Sequence, residues 1–172
     1  MHAGPPTRWE PSPVRSTLES PQRGPRTSPS FAGRKAASPQ ASGIKRRNRK
    51  TDTTAELTLR RSLWRLGLRY RVNQKGLPGT PDIVFPRQRI AVFVDGDFWH
   101  GRDWEERKAR LALGNNAAYW IAKIGYNRER DRNNDNLLTE LGWRVLRLWE
   151  TDVLRDPECA ARRVFGLVAP EA

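Results

Sequence analysis

Two short runs, Asp82-Ile83-Val84-Phe85 and Ile90-Ala91-Val92-Phe93-Val94, constrain the fold more than any other feature of the 172 residues. Both are apolar and rich in β-branched and aromatic side chains, and only Pro86-Arg87-Gln88-Arg89 separates them, which predicts two buried strands joined as an antiparallel hairpin. With the turn centred near Arg87 and Gln88, the start of the first strand faces the end of the second. Asp82 then lies beside Val94 and Asp95. The hairpin therefore predicts two carboxylates at one sheet edge.

The elements around it follow from local signals. Thr53-Thr54-Ala55-Glu56 fits a capping box and starts a helix, with Leu59, Leu63 and Leu66 as its stripe, Leu57 and Trp64 widening it, and Gly67 ending it. Leu68 to Gln74 alternates as a strand, with Tyr70 and Val72 on one face, and Gly76 to Pro81 reads as a turn. Residues 104 to 113 form a charged helix of poor periodicity. Ala117 to Leu141 is a long helix marked by Trp120, Ile121, Ile124, Leu137, Leu138 and Leu141. Trp143 to Trp149 is a further strand, and Glu158 to Val168 closes the chain as a helix. The pattern predicts an α/β domain, a mixed central sheet flanked by helices.

Charge divides the chain. Residues 1 to 50 hold eleven Lys and Arg against Glu10 and Glu19, so +9 of the overall +13 sits there. Residues 1–43, rich in Pro, Ser and Arg without periodicity, are expected to be a disordered tail, 44–168 the folded domain, and 169–172 a C-terminal tail. Lys45, Arg46, Arg47, Arg49 and Lys50 adjoin the first helix, where phosphate contact is favoured over a purely solubilising role. No apolar run approaches the length of a membrane span and no signal sequence is legible, so an intracellular protein with a polyanionic partner is expected. The single Cys159 excludes an internal disulfide and reads as a small core residue.

The acids at the hairpin edge, with Glu56 upstream and Val94-Asp95-Gly96-Asp97-Phe98-Trp99-His100 following, are hard oxygen ligands of the type that hold Mg²⁺ with its waters. His100, the one histidine outside the tail, suits the proton of a metal-activated water. Each acid alone would read as a turn residue; together with His100 they read as a site. Phe98 and Trp99 suit either core packing or a wedge between base pairs. Asp131 lies in a mixed charge run that is ordinarily a solvated face, and is also placed to orient His100.

In order and spacing, six motifs resemble the very short patch repair (Vsr-type) mismatch endonucleases of the PD-(D/E)XK nuclease superfamily. They are Asp52-Thr53 with Glu56, Leu77 to Asp82, Val92 to Gly96 with Phe98-Trp99-His100, Tyr119 to Ile124, Asn127 to Asp131, and Leu141 to Glu150. The resemblance spans about residues 43 to 168. It implies a restriction-endonuclease-like fold and Mg²⁺-dependent nicking of double-stranded DNA 5′ to the thymine of a T:G mismatch left by deamination of 5-methylcytosine. Asp82, the main-chain carbonyl of Val94 and Asp95 would be the metal side, His100 the general base, and Glu56 and Asp131 supporting groups. Phe98, Trp99 and Trp120 would be wedges into the duplex. A cytoplasmic, nucleoid-associated monomer is implied, with repair or defence proteins as partners.

One departure concerns a structural zinc, which the resemblance implies is held by cysteines and a histidine. Asp97 stands where the first cysteine belongs, Arg102 and Asp103 lie near further ligand positions, and Thr151 replaces another cysteine. Zinc is expected to be absent. The alternatives are a nicking nuclease of a restriction or phage-defence system and a non-catalytic module that binds distorted DNA.

Overall fold

The computed structural model describes residues 27–33 and 51–169. Helix α1 (Thr54–Arg65) opens on the expected capping box: the Glu56 amide donates to Thr53 Oγ1 at 3.3 Å, and the Thr53 amide donates back to Glu56 Oε1 at 3.4 Å. It closes at Gly67 (φ 77°), where the amides of Gly67 and Leu68 donate to the carbonyls of Trp64 and Leu63. That left-handed cap folds Leu68 back beside Leu63 in the core. The buried stripe is narrower than expected. Leu59 and Leu63 are fully buried, whereas Leu66, already at the cap, and Trp64, under the Arg69 guanidinium at 3.7 Å, stay exposed.

The strands are β1 (Arg71–Val72), β2 (Ile83–Phe85), β3 (Ile90–Asp95) and β4 (Arg144–Trp149), in sheet order β1-β2-β3-β4. The β2–β3 hairpin has the expected register, Phe85 opposite Ile90 and Ile83 opposite Val92. β1 is shorter than its alternation suggests, because Asn73 turns left-handed (φ 48°). Tyr70 packs inward and donates to the Arg60 carbonyl at 2.9 Å, while Val72 is exposed. β4 runs parallel to β3, Asp95 facing Trp149, which is possible only because α2 (Trp104–Ala112) and α3 (Ala117–Glu140) make the crossover.

Alternation along the strands splits the core in two. Ile83, Phe85, Ile90, Val92 and Leu148 point towards α1, α4 (Glu150–Arg155) and α5 (Pro157–Val168). Val84, Ala91 and Phe93 point to the other face, with Leu138 of α3 and Trp143. The sheet is thus mixed and covered by helices on both faces, as the sequence predicted.

Other details depart from expectation. α4 was not foreseen, and Cys159 is exposed in the first turn of α5, where its amide donates to the Asp156 cap at 2.8 Å. On α3, Leu137 and Leu141 are exposed, while Asn127 and Asp131 are buried: the inward face continues through polar residues. Residues 27–33, within the stretch expected to lack order, lie against α3, with the Phe31 ring 4.9 Å from Tyr119 and the Lys123 amine donating to Ser28 Oγ. Lys45, Arg46, Arg47, Arg49 and Lys50 fall outside the described residues, as do 170–172. Among the described residues no helix is long and apolar enough to cross a membrane.

Candidate active site

The C-terminal ends of the parallel pair β3 and β4 open on one edge of the sheet, and the site is built there. Asp82, one residue before β2, reaches across the hairpin and accepts the Val94 amide at 2.7 Å. Burial pushes its carboxyl up to about 6, opposed by that amide and by Arg60 and reinforced by the negative charges of Glu56 and Asp95. Glu56 is buried at 2% exposure and committed to the α1 cap and to Arg60 Nη2 at 3.0 Å. It faces Asp82 through its field. Among the described residues no three acidic, histidine or cysteine side chains converge as a metal cluster.

Asp95 points to the α3 face of the sheet. Both its oxygens accept from Arg147 Nη1, at 2.7 and 2.8 Å, and Oδ1 lies 3.4 Å from His100 Nδ1. Burial raises its carboxyl above the ordinary range despite Arg147 and His100. Asp95 thus pairs with Arg147 and faces His100 at the sheet edge.

His100 follows β3 in a loop held by turns, and its Nδ1 meets Asp131 Oδ2 at 2.6 Å. A contact this short to a carboxylate places the proton on Nδ1 and leaves Nε2 as the basic lone pair. Burial disfavours the imidazolium, but the Asp131 hydrogen bond and the charges of Asp95 and Asp131 outweigh it, so the His100 pKa lies above its usual value. Asp131 is held below the carboxylate range, burial being overcome by His100 and by Arg130 Nη2 at 2.8 Å.

Because that loop is not extended, the alternation of Phe98 and Trp99 does not apply. Both rings are half-buried and meet Trp120 of α3, Phe98 at 5.5 Å and Trp99 at 6.0 Å between centroids. The three wedge candidates form one cluster beside His100, and Phe31 leans on its Trp120 side at 5.8 Å.

Three positioning groups were not foreseen. Arg147 ties Asp95 to Asp135, with Nε 3.0 Å from Asp135 Oδ2, and Asn127 Nδ2 donates to the Trp99 carbonyl at 2.9 Å. A signal existed for Arg147: alternation in β4 puts it on the inward face with Val145, where a cation needs a carboxylate. Asn127 and Asp135 carried no such signal.

The family model described as DNA mismatch endonuclease Vsr matches residues 36–106, which include Glu56, Asp82, Val94, Asp95 and His100. A type II nicking enzyme of Neisseria meningitidis serogroup C is 46% identical over 117 residues, 68% of this chain and 78% of the relative. The chain belongs to the Vsr family. A type II nicking enzyme of Haemophilus parainfluenzae is 44% identical over 115 residues, 67% of this chain and 80% of the relative. The DNA mismatch endonuclease Vsr of Escherichia coli (strain K12) is 41% identical over 99 residues, 58% of this chain and 62% of the relative. As a Vsr-family protein the chain is a DNA-nicking endonuclease, and DNA is its partner.

Proposed function

We propose that this Vsr-type enzyme nicks one strand of duplex DNA 5′ to the thymine of a T:G mismatch, with Mg²⁺ as cofactor. The observation that supports it best is that one sheet edge carries a half-buried Asp82 in the field of Asp95, the His100–Asp131 couple that Asp95 also faces, and a half-exposed three-ring cluster. Asp82, crowded by two other carboxylates, fits a divalent cation, and with the Val94 carbonyl it would hold Mg²⁺ by hard oxygens while leaving room for water. Bound there, the ion supplies positive charge to a phosphate and acidifies a water.

The chain's own residues do the rest. His100 Nε2 takes the proton of the attacking water, and Asp131 and Asp95 stabilise the resulting imidazolium. Arg147 fixes Asp95 and so the ring it faces. Phe98, Trp99 and Trp120 wedge into the duplex, a step that costs less at a mispaired site.

A second reading is favoured by the relatives that are type II nicking enzymes: the same chemistry serving a type II restriction system. Strand-specific nicking of otherwise identical T:G and C:G duplexes, with Mg²⁺ and with Asp82→Ala as control, separates the two. Mismatch-dependent cuts 5′ to the thymine support repair chemistry, and equal cutting of both duplexes supports the restriction reading. Cutting by Asp82→Ala overturns the site assignment.

A further inference from the structure

The loop that carries Phe98, Trp99 and His100 leaves β3 and has to be fixed against the chain leaving β4. Asp97 makes the junction. Its Oδ2 accepts both the Thr151 amide at 3.2 Å and the Thr151 hydroxyl at 2.8 Å, and its Oδ1 accepts Arg102 Nη1 at 2.9 Å. The other arm of the same guanidinium, Nη2, donates to Asp152 Oδ1 at 3.1 Å. The Arg102 amide donates to the Asp97 carbonyl at 3.0 Å, and the Arg102 carbonyl accepts Arg107 Nε at 3.1 Å, which brings in α2. The Arg102 guanidinium thus links the loop to α4 across fifty residues of sequence, and its main-chain carbonyl holds α2 through Arg107.

Asp97 and Thr151 also stand where the family resemblance implies zinc ligands, and Arg102 lies near further ligand positions; together they do not fit that ion. Zinc sites are built from thiolates and imidazoles, whereas a guanidinium has no lone pair to give and carries a fixed positive charge that repels a metal. Its five donors in a planar fork suit two carboxylates.

We propose that Arg102 replaces the zinc as the tether of this loop, a metal-free clasp that makes it the positioning residue for Phe98, Trp99 and His100. Three pins then fix the loop: Asn127 on the Trp99 carbonyl, Asp131 on His100, and Arg102 between Asp97 and Asp152. Neither end of the clasp is fully exposed, with side-chain exposures of 16% for Asp97, 26% for Arg102 and 27% for Asp152, so water screens it only in part. Burial pushes the Asp97 carboxyl up, but Thr151 and Arg102 more than reverse this and keep it ionised. Without the guanidinium, Asp97 and Asp152 would face each other as like charges.

The positioning role rests on the functional reading given above, and the test separates the two. The full chain is assayed for metal content and for nicking of a T:G duplex as wild type, Arg102→Ala, Asp152→Asn and His100→Ala. Arg102→Ala is also assayed with added methylguanidinium. The expected result is no stoichiometric zinc in active wild-type protein and a loss in kcat on the order of 10- to 100-fold for Arg102→Ala, as displaced catalytic groups give. Methylguanidinium should restore part of that loss, which a folding defect would not allow. If Arg102→Ala does not fold, Asp152→Asn, which keeps an acceptor but takes the charge from one arm, carries the same expectation of reduced kcat, in smaller measure. Stoichiometric zinc, an unchanged kcat in both clasp variants, or a loss that methylguanidinium leaves untouched overturns the clasp. Full activity in His100→Ala overturns the reading of the site instead.

Discussion

Replacing Asp82 by Asn should abolish nicking and at the same time stabilise the protein. The carboxyl rises from 3.8 to about 6 on folding, because burial and the fields of Glu56 and Asp95 outweigh the Val94 amide and Arg60. A native pKa above the unfolded one means that the group supports the fold only while protonated. Its contribution is intact below about pH 4 and is lost as pH rises through about 6. At 1.36 kcal/mol per unit, the ionised carboxylate costs the native state about 3 kcal/mol near neutral pH. Asn keeps an oxygen for the Val94 amide and removes the charge, so Asp82→Asn should gain most of that figure, several degrees in Tm for a domain of this size. Urea denaturation of both proteins across that pH range is the assay, and the gap between them should open with rising pH and then level off. Added Mg²⁺ should close it by stabilising the wild type alone. A variant no more stable than wild type near neutral pH, or a gap independent of pH, would refute the reasoning.

Other perturbations test other parts of the site. Asp131→Asn removes the negative charge 2.6 Å from the imidazolium and should lower the His100 pKa, shifting the acid limb of the kcat profile to lower pH. NMR titration reads this directly, since His2 and His100 are the only histidines. Gly101→Ala should cost about 1 to 3 kcal/mol and depress nicking, because its φ is 68° and a Cβ would meet Arg128 Cδ at 2.8 Å and Ile124 Cγ2 at 2.9 Å; thermal melts and kcat check it. Arg147→Met leaves Asp95 and Asp135 without their shared cation and should cost about 3 to 5 kcal/mol in urea denaturation, with partial recovery when Asp95→Asn is added.

Much of this architecture could be read from local signals. The β2–β3 hairpin, the Thr53–Glu56 cap and the glycine stops at 67 and 142 depend on a few adjacent residues, and the structure has each of them. The approach of Asp82 to Val94 followed from the hairpin register alone. What could not be read depends on how α3 docks on the sheet. Asn127 and Asp135 look like part of a solvated charge run until the parallel crossover turns them towards the Trp99 carbonyl and Arg147, whereas Asp131 stands out in the sequence and does meet His100. α4 was hidden by its length, six residues with only Val153 buried, too few for periodicity to register. Trp64 and Leu66 were assigned to the core because helical spacing reports which residues share a face, not how far the neighbouring layer extends.

The proposed functional groups sit at positions 56, 82, 100 and 131 of the chain, and the last is on the helix that packs against the face of the sheet away from α1. A chain that stops short of residue 131 lacks the carboxylate that pins the imidazole. Nor can β4 yet pair with β3 to bring Arg147 to Asp95. On the proposed reading, cutting power needs α3 docked on the sheet, since only then does Asp131 meet His100. On that reading, a fragment that ends before α3 should not nick DNA, because it lacks Asp131 and the strand that carries Arg147.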